Sequence, residues 1–197
     1  MTKLDLKKTD RAAYTGTPGR WDRVTLPAMS YLATEGAGAP ESPAYAAALA
    51  ALYPLAYAIK FASKAGGRDF VVPPQSTQWW ADDMAAFTAG RRDDWRWRAM
   101  IRMPDWVDDA ALAAAKAKKG GEAVALITLT EGDCFQTLHV GPYADEAPVL
   151  AELHDRLMPE AGVTFAGHHH EVYLSDPRKV PPEKLKTILR QPVAAAG

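Results

Sequence analysis

The chain has 197 residues, a formal net charge of -1 and a pI near 6.5, and 48% of its residues are hydrophobic. These values are typical of a globular protein with a substantial core, and they lack the basic excess of nucleic-acid-binding proteins. One cysteine, Cys134, excludes a disulfide framework and favours a reducing compartment, and the charged segment 1–10 does not resemble a signal peptide. We therefore predict a cytoplasmic protein with no nucleic-acid partner.

The first third of the chain contains one clear helix. Residues 1–27 are predicted to form an extended arm, because proline and glycine interrupt them, and a strand follows over 28–35. A capping serine followed by proline predicts a helix from Ser42 to about Lys64, which a glycine pair ends. Pro54 lies inside this apolar run and is expected to kink it. Polar breaks in the same run disfavour a membrane span.

Short strands are predicted in the middle of the chain, over 69–72 and 76–82, before a longer strand over 95–103. Alternation along this longer strand places its apolar residues on one face. The other face is predicted to be solvent-exposed, and it carries Arg96, Arg98 and Arg102. An acidic start and a lysine-rich end predict a helix over 108–118.

The second half repeats the order of these elements. Strands are predicted over 123–130 and 134–140, then a helix from about Asp145, the strand around Glu171, and a last strand over 187–193. Two αβ units with antiparallel strands predict an α+β fold with helices on one face of a curved sheet and a ligand cleft on the other. We place a single domain at 28–197, with halves at about 28–104 and 105–197.

Residues 171–174 carry the main candidate site. In a strand, Glu171 and Tyr173 point to one face, while Val172 and Leu174 point to the core. A carboxylate beside a phenol is costly inside a sheet, so this face is predicted to line the ligand cleft. Glu171 is a candidate catalytic base, a counter-ion for a bound drug, or a structural carboxylate. Tyr173 is a candidate catalytic residue that hydrogen-bonds a ligand, or a half-buried strand tyrosine.

Aromatic residues of the first half are candidates for the walls of this cleft. Core packing is the simple interpretation of each tryptophan, yet four within residues 79–97 are hard to bury together, because each indole N–H requires an acceptor. Tyr143, after a Gly-Pro turn, and His139 are further candidates, although Tyr143 could cap the next helix and His139 could be a core residue. The ligand-binding candidates are Tyr57, Trp79, Trp80, Trp95, Trp97, His139 and Tyr143.

Metal and cofactor chemistry find little support in the sequence. In the run His168-His169-His170, adjacent side chains point to opposite faces of a strand, and no further ligand stands at a recognised metal spacing, so structural or solvent-facing histidines are expected. Cys134 has no base nearby in sequence and is expected to be inert. No phosphate loop, dinucleotide fingerprint or Ser-His-Asp order is present. We predict no metal and no cofactor.

The chain resembles the GyrI-like small-molecule-binding family, and more narrowly its stand-alone bacterial branch with two pseudo-repeats. The resemblance covers nearly the whole chain. The motifs that carry it, in this order, are Lys3-Leu4-Asp5-Leu6-Lys7-Lys8, Ala56-Tyr57-Ala58-Ile59-Lys60-Phe61, Val71-Val72-Pro73-Pro74, Trp79-Trp80, Trp95-Arg96-Trp97, Met103-Pro104-Asp105-Trp106-Val107, His139-Val140-Gly141-Pro142-Tyr143 and residues 169–179.

This resemblance implies an SHS2-type duplication and an aromatic cleft in which Glu171 faces the ligand. In drug-sensing relatives the matching glutamate balances the charge of cationic aromatic drugs. Some stand-alone relatives hydrolyse cyclopropane rings of DNA-alkylating toxins. The resemblance therefore implies a hydrolase that protects the cell from such toxins. A non-catalytic protein that sequesters planar or cationic molecules, and a protein partner that antagonises a gyrase-directed toxin, remain open alternatives.

Overall fold

The computed structural model describes residues 3–83 and 85–197. The chain forms two compact units: the first comprises the chain up to residue 11 and residues 29–129, and the second comprises residues 12–28 and 130–197. Both contain antiparallel strands and helices, which confirms the predicted α+β fold. The boundaries of the units differ from the predicted division near residue 104.

In the first unit, helices pack on a sheet with the strand order β3-β4-β2-β5, in which every neighbouring pair is antiparallel. The strands are β2 (Met29–Ala37), β3 (Gln75–Trp80), β4 (Arg96–Arg102) and β5 (Ala125–Leu129). The helices are α1 (Leu6–Thr9), α2 (Pro43–Ala65), α3 (Ala85–Thr88) and α4 (Asp109–Lys119). Of the two short strands predicted near residues 69–82, the second corresponds to β3, and residue 70 forms only an isolated bridge.

Helix α2 begins where its sequence predicted. The Ser42 hydroxyl accepts a hydrogen bond from the backbone N–H of Tyr45 at 3.2 Å, and the helix continues past Pro54. One side packs into the core of the unit through Leu52 and Ile59. By length and composition alone α2 could also cross a membrane, which is weak evidence because core helices of soluble proteins meet the same criteria. The prediction that it does not span a membrane stays a prediction.

Strand β4 follows the predicted alternation on one face only. Trp97, Ala99 and Ile101 are buried in the core of the first unit. On the other face Arg96 is exposed, but Arg102 is 5% exposed, so the prediction of a uniformly solvated face was wrong. The guanidinium of Arg102 lies 2.9 Å from a carboxylate oxygen of Asp105, and that ion pair offsets the cost of burying the charge.

The second unit has the strand order β1-β6-β9-β8, with β7 also paired to β9, and all of these pairs are antiparallel. The strands are β1 (Asp22–Leu26), β6 (Gly132–Val140), β7 (Val163–Phe165), β8 (His169–Tyr173) and β9 (Lys186–Ala195). A helical segment begins with α5 (Glu146–Glu152), continues through a π turn (Leu153–Leu157) and ends with α6 (Met158–Glu160).

Residues 3–27 are more regular than the extended arm that was predicted for residues 1–27. Leu4 forms an isolated parallel bridge with Phe70, and a short helix and a 3-10 turn follow. The segment then contributes β1, which pairs with β6 from Asp22 to Leu26. A strand whose partner lies more than 100 residues away leaves little local signal in the sequence.

The helical segment covers the sheet face that carries Glu171. Phe135 of β6 packs against Leu153 and Met158, which places the helical segment on the Phe135 face. Thr137, two residues further along β6, is on the same face and pairs with Leu189, which in turn pairs with Glu171. Glu171 therefore lies on the covered face of this unit, whereas the sequence placed it on a face without helices.

The opposite face of the same sheet contains a buried ionic network. Arg190 lies 2.7 Å from one carboxylate oxygen of Glu131, and Nδ1 of His170 lies 2.8 Å from the other. Arg190 also donates a hydrogen bond to the carbonyl of Ala13 at 2.7 Å, which ties the start of the unit to β9. Burial disfavours the carboxylate, yet the charges of His170 and Arg190 outweigh burial and lower the pKa of Glu131 to about 2. His170 is therefore structural, as predicted.

Candidate functional site

The candidate site of the second unit is centred on the carboxylate of Glu171. The Tyr173 hydroxyl donates a hydrogen bond to Oε2 of Glu171 at 2.7 Å. Nε2 of His169 lies 3.3 Å from the other oxygen, Oε1. The Tyr173 hydrogen bond orients the carboxylate, and because the Glu171 side chain is 14% exposed, part of it remains accessible. The predicted arrangement of Glu171 and Tyr173 on one strand face agrees with this geometry.

Tyr143 extends this site towards the surface. Its ring meets the Tyr173 ring edge to face, with 5.7 Å between the centroids and an interplanar angle of 80°. Tyr143 follows the Gly141-Pro142 turn and is 40% exposed, so the phenol can contact a bound molecule. Burial raises the pKa of Tyr143, and neighbouring carboxyl groups, among them Glu171, raise it further. The phenol is therefore a hydrogen-bond donor at neutral pH.

Glu146 is the site residue that sequence reasoning missed. It lies in the first turn of α5, where an acidic residue is ordinarily a solvated partner of the helix dipole. In the structure it is only 6% exposed. Burial and then the negative charge of Glu171 raise its pKa to about 9, against the opposing effect of the Thr187 hydroxyl. One feature of the sequence could have indicated this residue: Glu146 lies three residues after Tyr143, on the inner side of a helix turn.

The two glutamates therefore differ in what they can do chemically. Glu146 carries a proton at neutral pH, because removing it would create a second negative charge beside Glu171 in a poorly solvated site. Pairs of carboxyl groups whose environments separate their pKa values are the usual basis of acid and base roles in one site. The arrangement is suited to proton transfer, and the Tyr143 phenol can donate a hydrogen bond to an oxygen atom of a ligand.

His139 of β6 is connected to the candidate site by residues that pair across strands β6, β9 and β8. It pairs with Thr187, which pairs with Tyr173. Its Nε2 atom is 3.1 Å from the carbonyl oxygen of Pro142, so the ring fixes the turn before Tyr143. His139 also lines a cavity of about 190 Å³, together with Trp21 and Val149. The structure thus gives His139 a clear role in supporting the turn, and its ligand contact stays a prediction.

In the first unit, the structure brings three of the candidate tryptophans together. Trp79 and Trp97 both contact Tyr45, with ring centroids 5.3 and 5.2 Å away, and Trp95 meets Trp79 edge to face at 6.0 Å. Trp97 is 2% exposed and lies across Gly36, where a Cβ atom would overlap its ring. This cluster belongs to the hydrophobic core of the unit.

Trp80 and Tyr57 lie apart from that aromatic cluster. Alternation along β3 places Trp80 on the face opposite Trp79, where the Arg98 guanidinium lies 6.0 Å from the indole ring. Tyr57 is on the exposed side of α2, and its ring centroid is 6.2 Å from that of Phe61. A ligand contact of any of the five aromatic candidates of the first unit stays a prediction.

Thiol and metal chemistry have no basis in the described geometry. Burial, and then the charge of Glu131, raise the pKa of the Cys134 thiol to about 12, so it is not a nucleophile at neutral pH. Within residues 3–83 and 85–197, no cluster of three or more His, Cys, Asp or Glu side chains could hold a metal ion.

The chain is similar to known proteins over nearly its whole length. The family model described as the GyrI-like small molecule binding domain matches residues 22–194. An uncharacterized conserved protein and a hydrolase encoded by lin2189, both from Listeria innocua, are each 37% identical to this chain, with TM-scores of 0.89 and 0.87, and each match covers 98% of this chain and 100% of the other. The EcmrR C-terminal domain is 11% identical with a TM-score of 0.60, covers 89% of this chain and 98% of that one, and shows the fold alone. No curated protein matches.

Proposed function

We propose that this chain, which belongs to the GyrI-like small-molecule-binding domain family, is a hydrolase of small electrophilic molecules that carry a strained ring conjugated to a carbonyl group. A solved relative of 37% identity over the full chain is described as a hydrolase, which supports a hydrolytic role. The reaction would destroy cyclopropane-type alkylating toxins before they reach DNA. A cytoplasmic location is part of this proposal.

The hydrogen bond between Tyr173 and Glu171 is the observation that carries the proposal. At 2.7 Å it fixes one oxygen of a carboxylate whose other oxygen faces His169. A general base needs such a fixed orientation, because proton transfer requires the accepting oxygen to be within hydrogen-bond distance of the water. A positioned general base contributes on the order of a hundredfold or more to the rate.

The reaction can be written as one balanced step. Glu171 takes a proton from water as the water oxygen bonds to a ring carbon. The carbon–carbon bond of the strained ring breaks, and its electron pair moves through the conjugated system to the carbonyl oxygen. We assign the stabilisation of this oxygen to the Tyr143 phenol, because the Tyr173 hydroxyl is already engaged with Glu171. A proton donated at the site neutralises that oxygen, and Glu171 gives up its proton after the product leaves, so the net change is the addition of one water molecule.

Sequestration without chemistry is the second candidate. The edge-to-face pair of Tyr143 and Tyr173 beside a carboxylate would also hold a planar cation, through cation–π contact and charge. Both functions predict binding of flat molecules, so binding alone does not distinguish them.

Turnover of a spirocyclopropyl cyclohexadienone separates the two functions. Water opens this ring to give a phenol, and mass spectrometry detects the addition of one water. We expect the purified protein to accelerate the opening, and we expect Glu171→Gln to reduce the rate by about a hundredfold or more. The matched control is Glu160→Gln, an exposed glutamate of the same unit, which should retain full activity. Binding without turnover would favour sequestration.

A further inference from the structure

Glu146 has no role in the reaction as written, yet the structure isolates it from solvent at the edge of the site. It is 6% exposed, and its Oε1 atom has no hydrogen-bond partner among the described residues. A buried polar atom without a partner ordinarily lowers the stability of the folded protein. An apolar residue would avoid that cost, and an acidic side chain at this position therefore suggests a use for its proton.

The groups around Glu146 come from each element near it. The hydroxyl of Thr187 on β9 and the carboxylate of Glu171 on β8 act on it directly. Tyr143 precedes it by three residues and is influenced by both glutamates. Other titratable groups on these elements include His139 of β6, Asp145, Glu152 and His154 of its own segment, His169 and Tyr173 of β8, and Asp176 after β8.

We propose that Glu146 is the proton-donating partner of Glu171, holding one proton while Glu171 is ionised and releasing it when Glu171 takes a proton from water. This inference rests on the proposed hydrolysis. The released proton passes to the Tyr143 phenol as that phenol protonates the carbonyl oxygen of the opened ring. Glu146 therefore acts on the substrate through Tyr143, and the proton on Glu171 returns to Glu146 after the product leaves.

Electrostatics explains why the two transfers occur together. The negative charge of Glu171 opposes ionisation of Glu146, and that opposition ends when Glu171 becomes neutral. The pair then keeps a constant charge of one negative unit throughout the reaction. A constant charge keeps the free energy of the transition state low in a site with little solvent, because no additional charge has to be solvated there.

An infrared measurement tests the pair without any turnover. The C=O stretch of the protonated Glu146 carboxyl is the band that the infrared spectrum of the parent has and that of Glu146→Gln lacks. The loss of this band is followed as the pH rises. In a Glu171→Gln background we expect the midpoint to fall by about one to two pH units, since a nearby charge has been removed. An unchanged midpoint would overturn the pairing.

Kinetics tests the donor role. With the spirocyclopropyl cyclohexadienone, the kcat/KM of the parent should fall at high pH as Glu146 loses its proton. Glu146→Gln should lower kcat/KM by about a hundredfold and abolish this high-pH decrease, whereas Glu160→Gln should change neither. A folded Glu146→Gln protein with the pH profile of the parent would overturn the inference. If the parent shows no turnover but the infrared midpoint moves, the proposed hydrolysis fails and the paired protonation stands.

Discussion

Replacing Glu146 with Gln should make the protein more stable at neutral pH, and the gain should grow with pH. In the folded protein the pKa of Glu146 is about 9, whereas the reference value for an unperturbed glutamate is 4.5. Between these values the unfolded chain is ionised at this position and the folded chain is not. Folding must then take up a proton, so stability is lost as the pH rises.

The magnitude follows from one proton taken up on folding. The contribution of Glu146 to the free energy of unfolding should fall by about 1.4 kcal/mol for each pH unit in this range. The difference between Glu146→Gln and the parent should therefore increase by about 2.7 kcal/mol from pH 5.5 to pH 7.5. In a chain of 197 residues, this increase corresponds to roughly 5 to 11 °C in Tm. Any constant effect of the new amide cancels in the comparison of the two pH values.

Urea denaturation at several pH values, followed by far-ultraviolet circular dichroism, measures this difference. Tryptophan fluorescence is less suitable, because Trp21 alone among the tryptophans belongs to the second unit. Burial lowers the pKa of His154 and of His170, and their pH-dependent contributions cancel between variant and parent. Glu160→Gln serves as the control for the loss of an exposed carboxylate. A difference that stays within about 0.5 kcal/mol across this range would show that Glu146 is ionised in the folded protein, and it would refute the electrostatic reasoning.

Three further changes have definite expected outcomes. Tyr173→Phe should lower kcat/KM for the strained-ring substrate by roughly ten- to a hundredfold in steady-state assays, since it releases the carboxylate of Glu171, the proposed general base; an unchanged value would contradict its orienting role. Arg190→Leu should cost about 3–5 kcal/mol in urea denaturation, because the buried carboxylate of Glu131 loses its guanidinium partner and keeps only His170, and a loss below 1 kcal/mol would contradict this. Gly36→Ala should cost about 1–3 kcal/mol in the same assay by displacing Trp97, and full stability would show that the ring can move freely.

Local signals predicted the regular elements well. Ser42 caps α2 as the sequence indicated, and Asp108, predicted as the start of the next helix, caps α4; each accepts a backbone hydrogen bond. Alternation over four residues was enough to place Glu171 and Tyr173 on one face, and their hydrogen bond agrees with that prediction. These features depend on neighbours a few residues away, which a sequence displays directly.

Long-range pairs account for what the sequence did not reveal. From the sequence, Glu131 is expected to lie in a turn. No nearby residue indicates its bonds to His170 and Arg190, which are 39 and 59 residues away along the chain. Glu146 resembles an ordinary acidic residue at a helix start until the packing of α5 encloses it. Burial of a charged group depends on tertiary contacts, so residue type and local period cannot supply it.

The division of the second unit between residues 12–28 and 130–197 has a consequence for synthesis of the chain. About a hundred residues must be translated after β1 before its partner β6 exists, which takes roughly 5 to 20 s at ordinary ribosomal rates. During this time Ala13 cannot meet Arg190 and β1 has an unpaired edge. The chain for the first unit is completed at the end of this interval, before that of the second unit. A pulse-labelled nascent chain should therefore acquire protease resistance in residues 29–129 before it does so in residues 12–28.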